Sequence, residues 1–354
     1  MPLKPRDDRA LRRRPLLTGH AGASALRRRL IVAGTAVAGF AAARSTFAQP
    51  PPRVARIGVL VGGVRVEGPV PALEALRRRL RELGWIEGTN LQLHVRYGQG
   101  NADGTASAAA ELAAMAPDVI VSAGTQPVLA MRQATATIPI VMAGAGDPVG
   151  TGLVQSLPRP GGNVTGISLL GQEIIPKALS LLHEAVPRAR RIDLLGVAAN
   201  ATFNPFAARV WADAVSRLGI EGQLVELKGP EEIDAVIAAS RADAILMLQD
   251  PIYNPPALRE RIAAAAIRRR LPLGTTGGRA YVSAGGLLSY SVNQPDLWRQ
   301  AAEYADRILR GARPAEMPVD QPTRYELVIN QKTARAIGVT FPRGLLVRAD
   351  EVIE

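Results

Sequence analysis

The sequence contains no cysteine and little histidine, and these two shortages exclude several classes of function. Without cysteine the chain has no disulfide, no thiolate nucleophile, no cysteine-ligated zinc and no lipid-accepting cysteine of a lipoprotein. Its three histidines are His20, His94 and His183, and they form no HExxH sequence. Metal-dependent hydrolysis is therefore disfavoured, and we expect neither a metal ion nor a cofactor.

Two catalytic sequence motifs are also missing. The chain has no GxxxxGKS/T loop, which is the usual phosphate-binding site for ATP hydrolysis. It has no GxSxG turn of the α/β-hydrolase type, and few histidines remain to assist a serine nucleophile. The residues thus offer no catalytic signature.

Positive charge is concentrated at the N-terminus. The formal net charge is +12, but ten of the 43 basic residues and two acidic residues lie in the first 48 positions, so the rest of the chain carries +4. That remainder is spread over surface helices such as Arg77–Glu82, a pattern typical of a solvated face rather than a nucleic-acid groove reader. We expect no nucleic-acid partner.

Residues 1–48 are predicted to be an export signal. Arg27–Arg29 precede a short apolar run, Leu30–Ala43, and Thr46 and Ala48 place small residues where a signal peptidase cleaves. The apolar run is too short for an ordinary membrane span. The paired arginines resemble a twin-arginine leader, a general secretory leader with a long basic region is the alternative, and a buried N-terminal helix fits the flanking residues less well. We predict a periplasmic protein cleaved near Ala48.

The segment Asp118–Gly150 reads as one βαβ unit. Val119–Val121 is a short apolar run bounded by turn residues, as expected for a strand covered on both faces. Gly124 interrupts it, and Thr125 is predicted to cap a helix with Pro127 in its first turn. The first amides of such a helix, at Gln126, Val128 and Leu129, would lack intrahelical partners and favour an anion.

The second strand of this unit, Ile138–Met142, leads into a glycine-rich loop. That loop carries Gly146 and Asp147 away from the carboxyl end of the strand. Because ligands of open α/β sheets lie beyond the carboxyl ends of the strands, we expect Asp147 to face the same crevice as the helix N-terminus. The unit would then offer one group for an anion and one for a cation.

Strands and helices alternate over the rest of the chain, which indicates a doubly wound α/β fold. The first strand is Val54–Val61 and the second is Leu91–Tyr97, with a helix at Ala106–Met115. The pattern starts again at Ile174, and a strand of this second half ends in Asp250 before a proline, as Asp147 does. With 354 residues and 47% hydrophobic content, two α/β domains are expected.

Several motifs together resemble a known family. They are GTQP, ATATIPIVMAGAGDPVGTGLVQSLPRPGGNVTGIS, AGGLLSYSVN, QPTRYELVINQKTARAIGV and LLVRADEVIE, in that order over nearly all of the chain after the leader. The chain resembles the extracytoplasmic substrate-binding proteins of ABC transporters, specifically the large family, once of unknown function, that includes tryptophan- and tyrosine-type uptake systems.

The resemblance implies a type I periplasmic binding protein: two Rossmann-like lobes, a three-stranded hinge and a small solute closed between the lobes. The hinge is expected near Gly166–Leu169, Leu288–Ser291 and Pro318–Thr323. It also implies a monomer, with the permease and the ATP-hydrolysing subunit in other chains. On this basis we assign residues 49–168 with 289–318 to the N-terminal lobe, and 169–288 with 319–354 to the C-terminal lobe.

Ten residues are expected to contact the ligand, from the family's loop, from strand ends in both lobes and from the hinge region: Ser122, Gly124, Thr125, Gln126, Gly146, Asp147, Asp250, Gly277, Tyr281 and Tyr290.

Each group of expected contacts has a simpler reading. The segment 122–126 also suits plain helix capping, an Asp-Pro pair is a common turn initiator, and aromatic residues near a hinge are often core. The family frequently has glutamate directly before the aromatic at Tyr281, whereas this chain has Ala280, so the identity of the solute stays open.

Two function classes remain. The first is a non-enzymatic binding protein that delivers an amino-acid-like solute to a permease. The second is an exported α/β hydrolase using Asp147 and Asp250 as acid and base, since paired carboxylates on facing lobes would suit either.

Overall fold

The computed structural model describes residues 54–65, 70–169 and 171–354. The predicted leader, 1–48, lies outside the described residues. No helix in the part of the chain that the structure describes is long and apolar enough to cross a membrane.

The described segments form two sheets with helices. Elements of the first half are β1 Ala55–Val61, α1 Pro71–Glu82, β2 Leu91–Tyr97, α2 Ala102–Ala114, β3 Val119–Ser122, α3 Thr125–Ala134, β4 Ile140–Gly146 and β5 Val164–Leu169. Those of the second half are α4 Gly171–Ala185, β6 Ile192–Val197, α5 Asn204–Leu218, β7 Leu224–Leu227, α6 Ile233–Ala239, β8 Ala244–Met247, α7 Pro256–Arg268, β9 Leu273–Thr275, α8 Arg279–Ser283 and β10 Leu288–Val292. The last elements are α9 Gln294–Leu309, β11 Tyr325–Asn330, α10 Gln331–Ile337, α11 Arg343–Arg348 and β12 Glu351–Ile353.

Both sheets are wound in the same order. The first sheet is parallel with strand order β2-β1-β3-β4-β5. The second contains the order β7-β6-β8-β9-β10, also parallel, and then adds β11 antiparallel to β10 and β12 at the edge. This doubly wound α/β architecture confirms the fold class expected from the sequence.

The chain crosses between the sheets three times. It first leaves the first sheet after β5. It returns at Asn293, since β10 still belongs to the second sheet whereas α9 packs on α1 and on β3 to β5. The third crossing follows Asp320, which is paired with Ile167 of β5, and leads into β11. The boundary set at residue 289 is therefore wrong: 289–292 complete a strand of the second sheet, and the crossing comes after Val292.

Some local elements differ from their predicted bounds for identifiable reasons. Helix α2 starts at Ala102, earlier than predicted, because the Asn101 side chain accepts a hydrogen bond of 2.7 Å from the Gly104 amide and so caps the helix. Strand β4 extends to Gly146 through a register shift at Gly144, whose φ is +92°. This irregularity moves the end of β4 toward the end of β3, where the Gly144 carbonyl accepts from the Gly124 amide at 2.9 Å.

Apolar side chains fill the layers between the sheets and their helices. In the first lobe α1 and α9 pack together on the sheet, and Leu76, Leu80 and Ala301 there are fully buried. In the second lobe Trp211 of α5 and Leu182 of α4 are buried in the equivalent layer. Since each lobe has its own core, the surfaces that face each other between the lobes are not needed to hold either lobe together.

Candidate functional site

A cavity of about 90 Å³ lies between the two lobes, at the carboxyl edges of both sheets. Its first wall comes from the loops after β1 and β3, and its second wall from the loops after β6 and β8. In each sheet these two strands are neighbours from which the chain winds in opposite directions, which is where open α/β sheets form a crevice. Two such crevices face each other here, and the cavity is their common space.

The first wall is built mainly from backbone. Gly62, Gly124, Gly144 and Gly146 line it, together with the first turn of α3. The amides of Thr125 and Gln126 donate to no other described residue, so they are available to an acceptor in the cavity. A helix N-terminus with unused amides favours a carboxylate or another anion.

Thr125 has a different local role from the one predicted. Gly124, with φ of +89°, is the residue that precedes the helix, and Thr125 is its first helical residue. The Thr125 hydroxyl accepts from the Gly146 amide at 3.0 Å and thereby joins the ends of β3 and β4. The predicted amide of Val128 is not free, because it donates to the Gly124 carbonyl at 3.4 Å.

The second wall carries the acidic group of the site. Asp250 is 8% exposed; its Oδ1 accepts from the Ile252 amide at 3.0 Å, and its Oδ2 accepts from Asn200 Nδ2 at 3.1 Å. Burial raises the pKa of Asp250 to about 6, against the effect of these two hydrogen bonds, which favour the charged form. The lining residues within the described segments include no lysine, arginine or histidine, so the cavity offers this carboxylate no basic side chain.

Asn200 adds a second acceptor beside Asp250. Its Oδ1 is buried and has no hydrogen-bond partner among the described residues. A buried acceptor without a partner costs free energy, and a donor brought by a ligand would remove that cost. The Asp250 carboxylate and the Asn200 oxygen together suit an ammonium group, which has several donors and no acceptor.

Apart from Gln249 and Thr276, the rest of the second wall and the floor are apolar. Phe203 supplies the only aromatic ring among the described lining residues, and aliphatic side chains surround it. The aliphatic lining residues include Leu169, Ile174, Val197, Leu248 and Val292. The cavity thus combines a few polar groups with an apolar surround, as small-molecule sites generally do.

The two walls touch at the rim of the cavity. A Cβ placed on Gly63 would lie 2.5 Å from the Pro251 carbonyl oxygen, and one on Gly100 would lie 3.0 Å from Ile252 Cγ1. Gln294 Nε2 at the start of α9 donates to Gln249 Oε1 at 3.0 Å. The lobes are therefore closed on each other, with glycines of the first lobe against side chains and backbone of the second.

Half of the residues expected to contact a ligand line this cavity. Gly124, Thr125, Gln126 and Gly146 lie on its first wall, and Asp250 lies on its second. The other five, Ser122, Asp147, Gly277, Tyr281 and Tyr290, do not line it.

Asp147 fails to reach the cavity for a topological reason. It follows β4, the fourth strand of its winding order, whereas Asp250 follows β8, which corresponds to β3. The two Asp-Pro pairs are therefore not equivalent. Asp147 has φ of +41°, and its carboxylate accepts from the Gly150 amide at 2.9 Å, so it forms the turn that an Asp-Pro pair commonly starts.

The remaining four residues serve the lobes themselves. Ser122 is fully buried within β3 and donates to the Leu60 carbonyl at 3.2 Å. Gly277 is packed against the Tyr281 ring, which is buried in an apolar cluster of the second lobe. Tyr290 stacks on Tyr325, with ring centroids 5.4 Å apart.

Sequence reasoning missed Asn200 and Gln249. Both lie in loops that follow strands of the second sheet equivalent to β1 and β3: Asn200 follows β6, and Gln249 follows β8. A signal did exist: once the second half is aligned to the first by strand order, the end of β6 corresponds to the end of β1. The glycine turn after β1 was visible in the sequence, and the loop after β6, which contains Asn200, would have been identified as its counterpart.

The family model for ABC transporter substrate binding proteins matches residues 64–353. The chain belongs to this family. The match spans both lobes and all three crossings, and the sequence-based assignment to this family is confirmed. Among the described residues, no group of three or more histidine, cysteine or acidic side chains could hold a metal ion.

Individual relatives agree with the family assignment. A tyrosine-binding protein of Clostridioides difficile is 26% identical over 266 residues, which are 73% of this chain and 74% of that protein. A conserved domain protein of Vibrio cholerae has a TM-score of 0.76 and 28% identity, covering 85% of this chain and all of that one. An ABC domain of Streptococcus pneumoniae in complex with L-Trp has a TM-score of 0.74 and 25% identity, covering 84% of this chain and 99% of that one.

Proposed function

We propose that this chain is the exported solute-binding component of an ABC uptake transporter, and that its solute is an amino acid. It works as a monomer in the periplasm, closes its lobes on the solute and delivers it to a membrane permease driven by a separate ATPase subunit.

The observation that carries this proposal is the opposition of the two walls. On one side the amides of Thr125 and Gln126 are available to a carboxylate. On the other, Asp250 and the unpartnered Asn200 oxygen are available to an ammonium group. A free amino acid carries both groups, so it would satisfy buried polar atoms on both walls and hold the lobes together.

The relatives support the same class of solute. One is named as a tyrosine-binding protein, and another has been solved in complex with L-Trp. Tyrosine and tryptophan each carry an amine and a carboxylate on one carbon, and these are the two groups that the cavity walls suit. These relatives support the proposal that the solute is an amino acid. Which amino acid is bound depends on the residues that line this chain's own cavity.

The hydrolase alternative has less support than the binding protein. It was based on Asp147 and Asp250 acting together as acid and base, but only Asp250 lines the cavity. We expect mass spectrometry to recover the solute unchanged after incubation with the protein.

Isothermal titration of Asp250 variants tests the proposal. Asp250→Ala should weaken amino-acid binding by about 2–4 kcal/mol, because it removes a desolvated, charge-assisted hydrogen bond to the ammonium group. Asp250→Asn should keep the bond from the Ile252 amide and still lose most of that free energy, since only the charge is removed.

Asp147→Asn is the matched control, because Asp147 also precedes a proline but does not line the cavity. It should bind as wild type does. Equal affinities of wild type and Asp250→Asn would remove Asp250 from the site and with it the proposed ammonium contact.

A further inference from the structure

One hydrogen bond joins side chains of the two lobes beside the cavity. Gln294 Nε2 donates to Gln249 Oε1 at 3.0 Å, and both residues are half-buried. Gln294 is the first residue of α9, which packs on the sheet of the first lobe, whereas Gln249 follows β8 of the second lobe. Gln249 lines the cavity and Gln294 does not, so Gln294 can influence a solute only indirectly.

The position of Gln294 is fixed at the crossing from β10 into α9. The Asn293 side chain accepts from the Asp296 amide at 3.1 Å and so caps α9, and its Nδ2 donates to Glu326 Oε1 of β11 at 3.1 Å. Gln294 therefore starts from a defined place next to the hinge and moves with the first lobe. Because Gln249 moves with the second lobe, the bond between them depends on how far the lobes are closed.

The second lobe holds Gln249 through its backbone. The Gln249 amide donates to Thr276 Oγ1 at 2.9 Å, while its side chain has no hydrogen bond to the second lobe among the described residues. A long side chain that is free to rotate has to be ordered when a solute binds, and that ordering costs free energy. The bond from Gln294 orders this side chain as the lobes close, so the solute does not have to.

The first lobe also contacts both neighbours of Asp250, the proposed ammonium acceptor. On one side Gln249 receives the bond from Gln294. On the other side Pro251 lies against the first wall, where a Cβ placed on Gly124 would be 3.5 Å from Pro251 Cγ. The Asp250 carboxylate itself hydrogen-bonds within the second lobe. Closure therefore holds Asp250 in place through the residues on either side of it.

We infer that Gln294 is a positioning residue of the solute site. In the closed form it orders the cavity-lining side chain of Gln249 and helps to hold Asp250 against the ammonium group of the solute. A single neutral hydrogen bond of this kind shifts the balance between closed and open forms by roughly threefold to tenfold. The role in binding rests on the proposed function, whereas the role in closure requires no solute.

A double-mutant cycle by isothermal titration tests the role in binding. The probe is the common L-amino acid that wild type binds most tightly. Gln294→Ala should weaken its binding roughly threefold to tenfold, because the Gln249 side chain is no longer ordered by closure. In a Gln249→Ala background the same change should have less than about a twofold effect, since the partner of Gln294 is already gone. Gln300→Ala, in the same helix but away from the cavity, is the matched control and should bind as wild type does.

A distance measurement tests the role in closure without a solute. The chain has no cysteine, so Ser107→Cys on α2 and Ala257→Cys on α7, both at exposed positions, place one spin label on each lobe. Electron paramagnetic resonance then gives the ratio of closed to open forms. Gln294→Ala should lower this ratio roughly threefold to tenfold, and Gln300→Ala should leave it unchanged.

Thermal unfolding of each variant checks that it folds. An unchanged ratio in Gln294→Ala, or an equal loss of affinity with and without the Gln249 side chain, would overturn the inference and leave the proposed function standing. If no common L-amino acid binds wild type, the proposed function fails, and the spin labels alone decide whether Gln294 acts in closure.

Discussion

The two walls of the cavity occupy equivalent positions in two equally wound sheets, yet they are chemically unlike. After the first strand of each winding the chain has Gly62–Gly63 in one lobe and Ala198–Asn200 in the other. After the third strand it has Gly124–Gln126 in one and Gln249–Pro251 in the other. Strand order thus fixes where a site can form, and loop residues decide what it can bind.

The difference also explains how the lobes fit together. The first wall is glycine-rich, so it offers hollows and backbone amides. The second wall has Pro251, Ile252 and Phe203, which fill those hollows at Gly63, Gly100 and Gly146. The second wall therefore supplies the side chains that contact a ligand. The first wall supplies backbone donors and the space into which residues of the second wall fit.

The largest expected effect tests whether the buried carboxylate of the second wall lowers the stability of the folded protein. Burial raises the pKa of Asp250 to about 6. At pH 7 in the solute-free protein this carboxylate is therefore ionised, although its buried surroundings disfavour the charge. Asp250→Asn should therefore raise the free energy of unfolding of the solute-free protein at pH 7 by roughly 2–3 kcal/mol. Thermal or urea unfolding at several pH values measures this.

The dependence on pH has a definite sign. Because the folded pKa of Asp250 is above the unfolded one, the folded state binds the proton more tightly; the stability this contributes is complete below about pH 4 and is lost as pH rises through 6. The advantage of Asp250→Asn should therefore vanish near pH 4. Asp147→Asn, at an ordinary turn outside the cavity, is the control for replacing an aspartate that precedes a proline. A less stable Asp250→Asn at pH 7 would mean that the carboxylate supports the lobe.

The next effect tests whether the lobes need a glycine on the first wall where Pro251 approaches it. Gly63→Ala should weaken amino-acid binding by about 1–3 kcal/mol, because its methyl group would collide with the Pro251 carbonyl and hold the lobes apart although Gly63 does not line the cavity. Small-angle scattering should show a particle that stays expanded at ligand concentrations that compact wild type.

Gly162→Ala is the matched control, since a Cβ there meets no atom within 4 Å. It should bind and compact as wild type does. Full affinity in Gly63→Ala would show that contact of the walls at this point is not needed for binding.

The smallest effect distinguishes the walls by titration. Between pH 7 and pH 5 the affinity for the preferred amino acid should fall about tenfold, because Asp250, with a pKa of about 6, becomes protonated and no longer attracts an ammonium group. The amides of the first wall do not titrate, so Asp250→Asn should bind weakly and with no change over this range. A flat profile for wild type would place the ammonium group elsewhere.

Much of the fold followed from local pattern, and the site followed only in part. The apolar run of β3 and the bounds of β2 at Leu91–Tyr97 were predictable because strand burial and alternation are written along the chain. The expectation that Asp147 and Asp250 occupy equivalent positions at the crevice was wrong. Equivalence between the two halves depends on strand order, which the local sequence pattern does not show. Phe203 was missed since nothing before a helix at Asn204 indicates a ring that reaches the other lobe.

The three crossings have a mechanical consequence. A single linker would let one lobe twist and slide over the other, whereas three connections, two of them joined by the pairing of Ile167 with Asp320, restrict the relative movement of the lobes. We therefore expect the lobes to close in the same alignment each time, with Gly63 against Pro251, so the solute does not have to orient the two walls.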